Sequence, residues 1–134
     1  EGYLIADAVR AAGVPVSLGP TLGNKSKPEL QNLSFEIYRV FGEKGIPFAI
    51  TTDHPEIPIQ FLPLCAALAV RSGLDRRTAL EAITIVPARN AGIADRVGSL
   101  KAGKDADVVV VEGDILALDG RVAQVWIDGK AVRD

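Results

Sequence analysis

Two stretches of this chain begin alike. Gly13-Val14-Pro15-Val16 and Gly45-Ile46-Pro47-Phe48 share the order glycine, apolar residue, proline, apolar residue, at an offset of 32 residues. In each, a helical pattern stops at the glycine and a short apolar run follows. The proline stands where a strand would begin, where its missing N–H costs least. A repeat of this length holds one strand and one helix. Such units stack as parallel strands with right-handed crossovers. The runs read as apolar on both faces, which a parallel sheet requires. The chain is therefore expected to be an α/β protein.

The segments between the repeats fit that expectation. GYLIADAVRAAG sets Leu4, Ile5, Ala8, Val9 and Ala12 on one helical face, with Gly13 as the stop. VPVSLG reads as a buried strand, and GPTLGNKSKP as a loop. Pro28 opens a short helical stretch. Ser34 caps a second helix that ends at Gly45. Ile46 to Thr52 is the next strand. Ile59 to Arg71 reads as a strongly apolar helix. Asp75 caps a further one, whose buried stripe is Leu80 and Ile83. Pro87 and Gly92 bracket one more helical turn.

The character changes near Ile93. Four consecutive valines, Val108 to Val111, read as a strand covered on both faces. Asp119-Gly120 is a turn. Asp128-Gly129 between VAQVWI and KAV is a two-residue hairpin signal. The tail is a small β element. Residues 1–92 and 93–134 thus form two parts.

Composition narrows the function. The 134 residues carry 15 basic and 17 acidic side chains, a formal charge of −2, and are 48% hydrophobic. A packed core is expected, and there is no electrostatic reason for a nucleic acid or an anionic membrane as partner. The longest apolar stretch, FLPLCAALAV, is too short to span a bilayer. No signal peptide is visible. The single Cys65 has no intrachain partner and reads as a small core residue. It fits a reducing compartment, so the expectation is cytoplasmic. Trp126 reads as packing. The chain has no Met and opens inside a helical pattern, so it is expected to be a piece of a longer protein or a processed one.

The residue that asks for an explanation is Asp53, in IPFAITTDHP. An acid at the carboxyl end of a parallel strand stands where α/β proteins place their chemistry. The same residue before a turn also bonds nearby backbone N–H groups in many proteins. Both readings are open on spacing alone.

Three segments taken together, GIPFAITTDHP, ALEAIT-x-x-PAR-x-AGI and RVGSLKAGKDADVVVV, resemble the C-terminal part of the amidohydrolase superfamily, nearest to its imidazolonepropionase-like branch. The resemblance covers nearly the whole chain. It implies the last two strand-helix units of a (β/α)8 barrel of TIM type in residues 1–92. Residues 93–134 would then be strands of a small composite β-sandwich.

The resemblance also implies a role for Asp53 as ligand to a catalytic divalent metal, zinc, and as proton acceptor from the metal-bound water. His54 would stand beside that site without ligating, or else bond backbone. Lys25 and Lys27, on the loop after the first strand, would meet a substrate carboxylate, or else be solvated charges. The implied chemistry is hydrolysis of a C–N bond other than an ordinary peptide bond, in a small-molecule amide, a cyclic amide or a dipeptide.

The remaining family ligands are absent: the His-x-His pair, the bridging Lys and two later His. The chain has one His in all. A catalytic zinc takes three protein ligands. The chain alone is thus expected to bind no metal and to be inactive. Its uncovered strand edges are expected to drive self-association or docking with the rest of a parent chain. The alternative is a non-catalytic α/β module whose edges serve assembly.

Overall fold

A computed structural model describes residues 1–25 and 27–133. A 3-10 turn over Gly2–Ile5 leads into helix α1, Ala6–Ala12. Gly13 ends α1 in the left-handed conformation, and its N–H bonds the carbonyls of Val9 and Arg10. Strand β1 is Ser17–Leu18 and strand β2 is Ala49–Ile50. They pair in parallel, Ser17 with Ala49 and Leu18 with Ile50. The parallel pairing matches the expectation from the repeat. The ladder is shorter than the apolar runs suggest, because Pro15 and Pro47 have no N–H to donate and stand just outside it.

Between the two strands lie a 3-10 turn at Pro28–Leu30 and helix α2, Glu36–Glu43. The N-cap of α2 is Phe35 and not Ser34 as expected; Ser34 stands one residue earlier and its Oγ accepts the Glu36 N–H at 3.1 Å. At the other end the Ile46 N–H reaches back to the Phe41 carbonyl at 3.0 Å across Gly45. That closure delivers the chain into β2. Tyr38 and Phe41 of α2 are fully buried and meet Phe48, with ring centroids 5.9 and 6.0 Å away.

Helix α3, Leu62–Arg71, follows a 3-10 turn at Ile59–Phe61. Helix α4 is Arg76–Ala82, and the Asp75 carboxylate caps it by accepting the Thr78 N–H at 2.9 Å. The buried side of α4 is Ala79 and Ala82; Leu80 and Ile83 are only half-buried at its margins. The alanines lie inside the core that α3 and α4 share, and Leu80 and Ile83 pack against its edge. Helix α5, Ile85–Asn90, starts two residues before Pro87. The proline sits in the first turn, where an N–H has no helical partner in any case. Cys65 is buried, as its apolar setting suggests, and burial pushes its thiol pKa up. No described helix is long and apolar enough to cross a membrane.

The tail forms an antiparallel sheet of three strands, β3 (Val108–Glu112), β4 (Arg121–Ile127) and β5 (Lys130–Arg133). Asp128 and Gly129 both take positive φ, 50° and 72°, as a two-residue hairpin loop requires. The expectation that the valine run is covered on both faces is not met. Val109 and Val110 are 56% and 42% exposed, because no helix among the described residues packs broadly over β3. The apolar face of the first helical stretch is partly open as well: Leu4 and Ile5 are 63% and 60% exposed, while Ala6 is buried and Val9 packs against the core. Trp126 is partly exposed on the sheet, its indole N–H facing Gln124 Oε1 at 3.5 Å.

The GKDAD stretch joins the sheet to the loop that follows α5. Lys104 Nζ donates to the carbonyls of Ala94 and Val97, at 2.5 and 3.0 Å. Asp105 pairs with Arg96 at 2.5 Å. Asp107 accepts the Asp128 N–H at 2.8 Å and so braces the hairpin turn. A second tie runs from Arg76 on α4 to Asp114 after β3.

Candidate active site

The chemistry-bearing residues collect where β1 and β2 end. Thr51 continues β2 beyond its last paired residue, its N–H reaching the Leu18 carbonyl at 2.9 Å. Asp53 follows in the left-handed region, with φ of 52°. Few non-glycine residues hold that conformation, and it costs about 1–3 kcal/mol where it persists. Two contacts hold it. The Asp53 N–H donates to Thr51 Oγ1 at 3.2 Å, and the Asp53 carbonyl accepts the Glu56 N–H at 2.9 Å.

The Asp53 side chain is exposed, and its carboxylate accepts no hydrogen bond among the described residues. The local backbone bonds expected of a merely turn-forming aspartate are therefore not made by its carboxylate. His54 is also exposed, next in the chain.

Lys25 and Lys27 are not brought to Asp53. Lys25 Nζ donates to the Gln31 carbonyl at 3.0 Å, within its own loop. Lys27 precedes the 3-10 turn in extended backbone. Both are exposed, and no ion pair joins either to Asp53 among the described residues.

A cleft of about 320 Å³ opens at the end of β1. Glu1, Tyr3, Ser17, Thr21, Asn24, Ser34 and Glu56 give it its polar lining, and Asp53 and His54 stand outside it. Neither lysine lines it. On its floor the buried Thr21 hydroxyl is hydrogen-bonded to the Tyr38 hydroxyl. Burial pushes the Tyr38 phenol up to about 12, against the pull of the Thr21 bond. At neutral pH it is an uncharged hydroxyl that fixes the loop after β1 onto α2.

Gly19 closes the strand ends together. A Cβ placed there would lie 2.0 Å from the Thr51 carbonyl oxygen. Its φ of 142° also disfavours any other residue. Thr51, Gly19, the Thr21–Tyr38 pair and Glu56 were not singled out by the sequence. The signal at Gly19 was the Gly-Pro pair after an apolar run, which reads as generic loop.

Among the described residues, no three His, Cys, Asp or Glu side chains gather to hold a metal ion. Asp53 and His54 are two neighbours without a third donor. The residues present do not fit a catalytic metal on their own.

The comparisons with known proteins agree with one another. The model of the amidohydrolase family matches residues 25–132. An amidohydrolase of Hapsidospora irregularis, tasK, is 38% identical over 92 residues, which is 69% of this chain and 9% of that protein. An imidazolonepropionase of Thermoplasma acidophilum is 38% identical over 71 residues, 52% of this chain and 17% of that one. The crystal structure of an amidohydrolase from Thermotoga maritima superposes on 98% of this chain and 34% of its own, with a TM-score of 0.94 and 37% identity. The chain thus spans less than a fifth of these two curated relatives and about a third of that solved structure. The structural likeness gives the chain a mixed α/β fold of TIM-barrel type.

Proposed function

Because this chain belongs to the amidohydrolase family, whose named relatives are hydrolases, we propose that it is the C-terminal segment of a metal-dependent hydrolase of C–N bonds. The substrate class is a small-molecule amide outside ordinary peptides, such as a cyclic amide or a dipeptide. Residues 1–92 are the last two strand-helix units of the barrel. Residues 93–134 are strands of the small β-sandwich.

The observation that carries this reading is the place and state of Asp53. Its carboxylate, at the carboxyl end of a parallel strand, is exposed and accepts no hydrogen bond among the described residues. The part taken by this chain's own residues is proton transfer. The Asp53 carboxylate accepts a proton from the attacking water and returns it to the leaving amine. His54 lies next to it, beside the reacting atoms. A divalent metal, zinc, would supply the activated water in the whole enzyme. This chain does not assemble a site for it and contributes one ligand, Asp53. Lys25 and Lys27 remain on the loop side as contacts for a substrate carboxylate, and Lys25 would first release Gln31.

The test is Asp53→Asn in the full-length protein, assayed on a panel of cyclic amides and dipeptides. Asparagine keeps the shape and tolerates the backbone, but cannot accept a proton at neutral pH. Turnover should fall by roughly two to four orders of magnitude. Near-wild-type turnover with unchanged metal content ends the assignment. The 134-residue chain alone should show no metal-dependent hydrolysis and should self-associate through its open sheet. A stable monomer in light scattering at micromolar concentration speaks against the second point.

A further inference from the structure

We propose that Thr51 is a positioning residue that aims the Asp53 carboxylate, a role that rests on the reading of Asp53 just given. Thr51 is held on three sides. Its N–H donates to the Leu18 carbonyl at 2.9 Å. Its carbonyl oxygen and its Cγ2 methyl face Gly19, 2.0 and 3.2 Å from where a Cβ would stand. Its hydroxyl accepts the Asp53 N–H at 3.2 Å. The two branches of the side chain thus have different duties. The methyl lies in the space a side chain at position 19 would crowd, and a β-branched side chain is stiff at its first torsion. The fixed rotamer points the hydroxyl at the Asp53 amide.

That amide belongs to a residue at φ of 52°. Left to itself an aspartate relaxes toward right-handed or extended backbone, which swings its Cα–Cβ bond away. The Thr51 bond opposes that relaxation from the N-terminal side, and the Glu56 N–H to the Asp53 carbonyl opposes it from the other. Thr51 therefore transmits the position of β1 to the acid. A carboxylate that must meet one water and one leaving group loses rate quickly when misplaced by about 1 Å.

Three variants of the full-length protein decide it: Thr51→Val, Thr51→Ser and Asp53→Asn. Valine keeps the branched shape and removes the acceptor; serine keeps the acceptor. Each is crystallised and assayed for hydrolysis on the same panel of cyclic amides and dipeptides. In Thr51→Val, Asp53 should leave the left-handed region, and kcat should fall about 10- to 100-fold with KM and Tm near the parent values. Thr51→Ser should restore most of kcat. If Asp53 stays near φ of 52° in Thr51→Val, the proposal is overturned, whatever the rate does. If Asp53→Asn keeps wild-type turnover, it is the catalytic reading of Asp53 that fails. The Thr51 proposal then stands or falls on the Asp53 backbone in the Thr51→Val crystal.

Discussion

Replacing Gly19 with alanine probes how the two strand ends are held. The new Cβ would lie 2.0 Å from the Thr51 oxygen and 3.1 Å from its carbonyl carbon, and Cβ contacts under 3.0 Å essentially do not occur. The obstacle is backbone, so no side-chain rotation relieves it. The strands must part by about 1 Å. Two backbone bonds cross this junction, Ala49 N–H to the Val16 carbonyl and Thr51 N–H to the Leu18 carbonyl, each 2.9 Å. Stretched by that much, neither remains a hydrogen bond. Their loss costs about 0.5–1.5 kcal/mol each. The backbone conformation of position 19 adds about 1–3 kcal/mol for a residue with a side chain. The expected destabilisation is about 2–6 kcal/mol.

Gly13→Ala is the comparator. Its φ is 61°, but a Cβ there meets nothing within 4 Å, so only the left-handed penalty of about 1–2 kcal/mol applies. Urea denaturation followed by circular dichroism on the full-length protein measures both. Equal losses for the two substitutions would falsify the argument that the strand ends are in backbone contact at Gly19.

Further expectations concern the core and one cap. The Tyr38 phenol is raised to about 12 by burial, so its contribution to stability is present below pH 10 and is lost as pH rises from there toward 12. Absorbance at 295 nm should show a tyrosine ionising near 12, and a single step at pH 10 for both tyrosines refutes this. Tyr38→Phe leaves the buried Thr21 hydroxyl without its partner and should cost about 1–3 kcal/mol in the same denaturation assay. Cys65 is buried with a raised thiol pKa, so Ellman's reagent should reach it only on unfolding; full reaction of the native protein would count against the described core. The bond from the Thr78 N–H holds the Asp75 carboxyl below the usual carboxylate range. Its stabilisation is therefore present above about pH 4 and lost as pH falls. Asp75→Ala should lower Tm at pH 7, and the deficit should shrink toward pH 2.

What was readable in the sequence was local. Gly13 and Gly45 end their helices, Asp75 caps α4, and Asp128-Gly129 turns a hairpin, each through bonds within a few residues. The repeat of glycine and proline disclosed the parallel pair because both strands face the same constraint at their start. Burial was less readable, because it depends on what lies opposite. Leu80 and Ile83 do pack against the core, yet the fully buried residues of α4 are Ala79 and Ala82. Val109 and Val110 needed a covering layer that the described residues do not provide. At the candidate site, the place of Asp53 just past β2 was legible from the apolar run before it. Thr51 and Gly19 were not, since their contact joins residues 32 apart in the chain and only the fold brings them together.

The joint between helices and tail sheet has a consequence for hybrid genes. Arg96 and Asp105, and Asp107 with the Asp128 turn, are matched pairs whose members lie along one uninterrupted stretch. A crossover between two homologous genes that falls before Ile93 would hand over every one of these partners from a single parent. A crossover between Arg96 and Asp105 would draw the two charges from different ancestors, and whether the tail still seats would depend on both having kept the same bargain. With the breakpoint just before Ile93, the tail would keep these partners together, while the Arg76–Asp114 pair would be drawn from two parents.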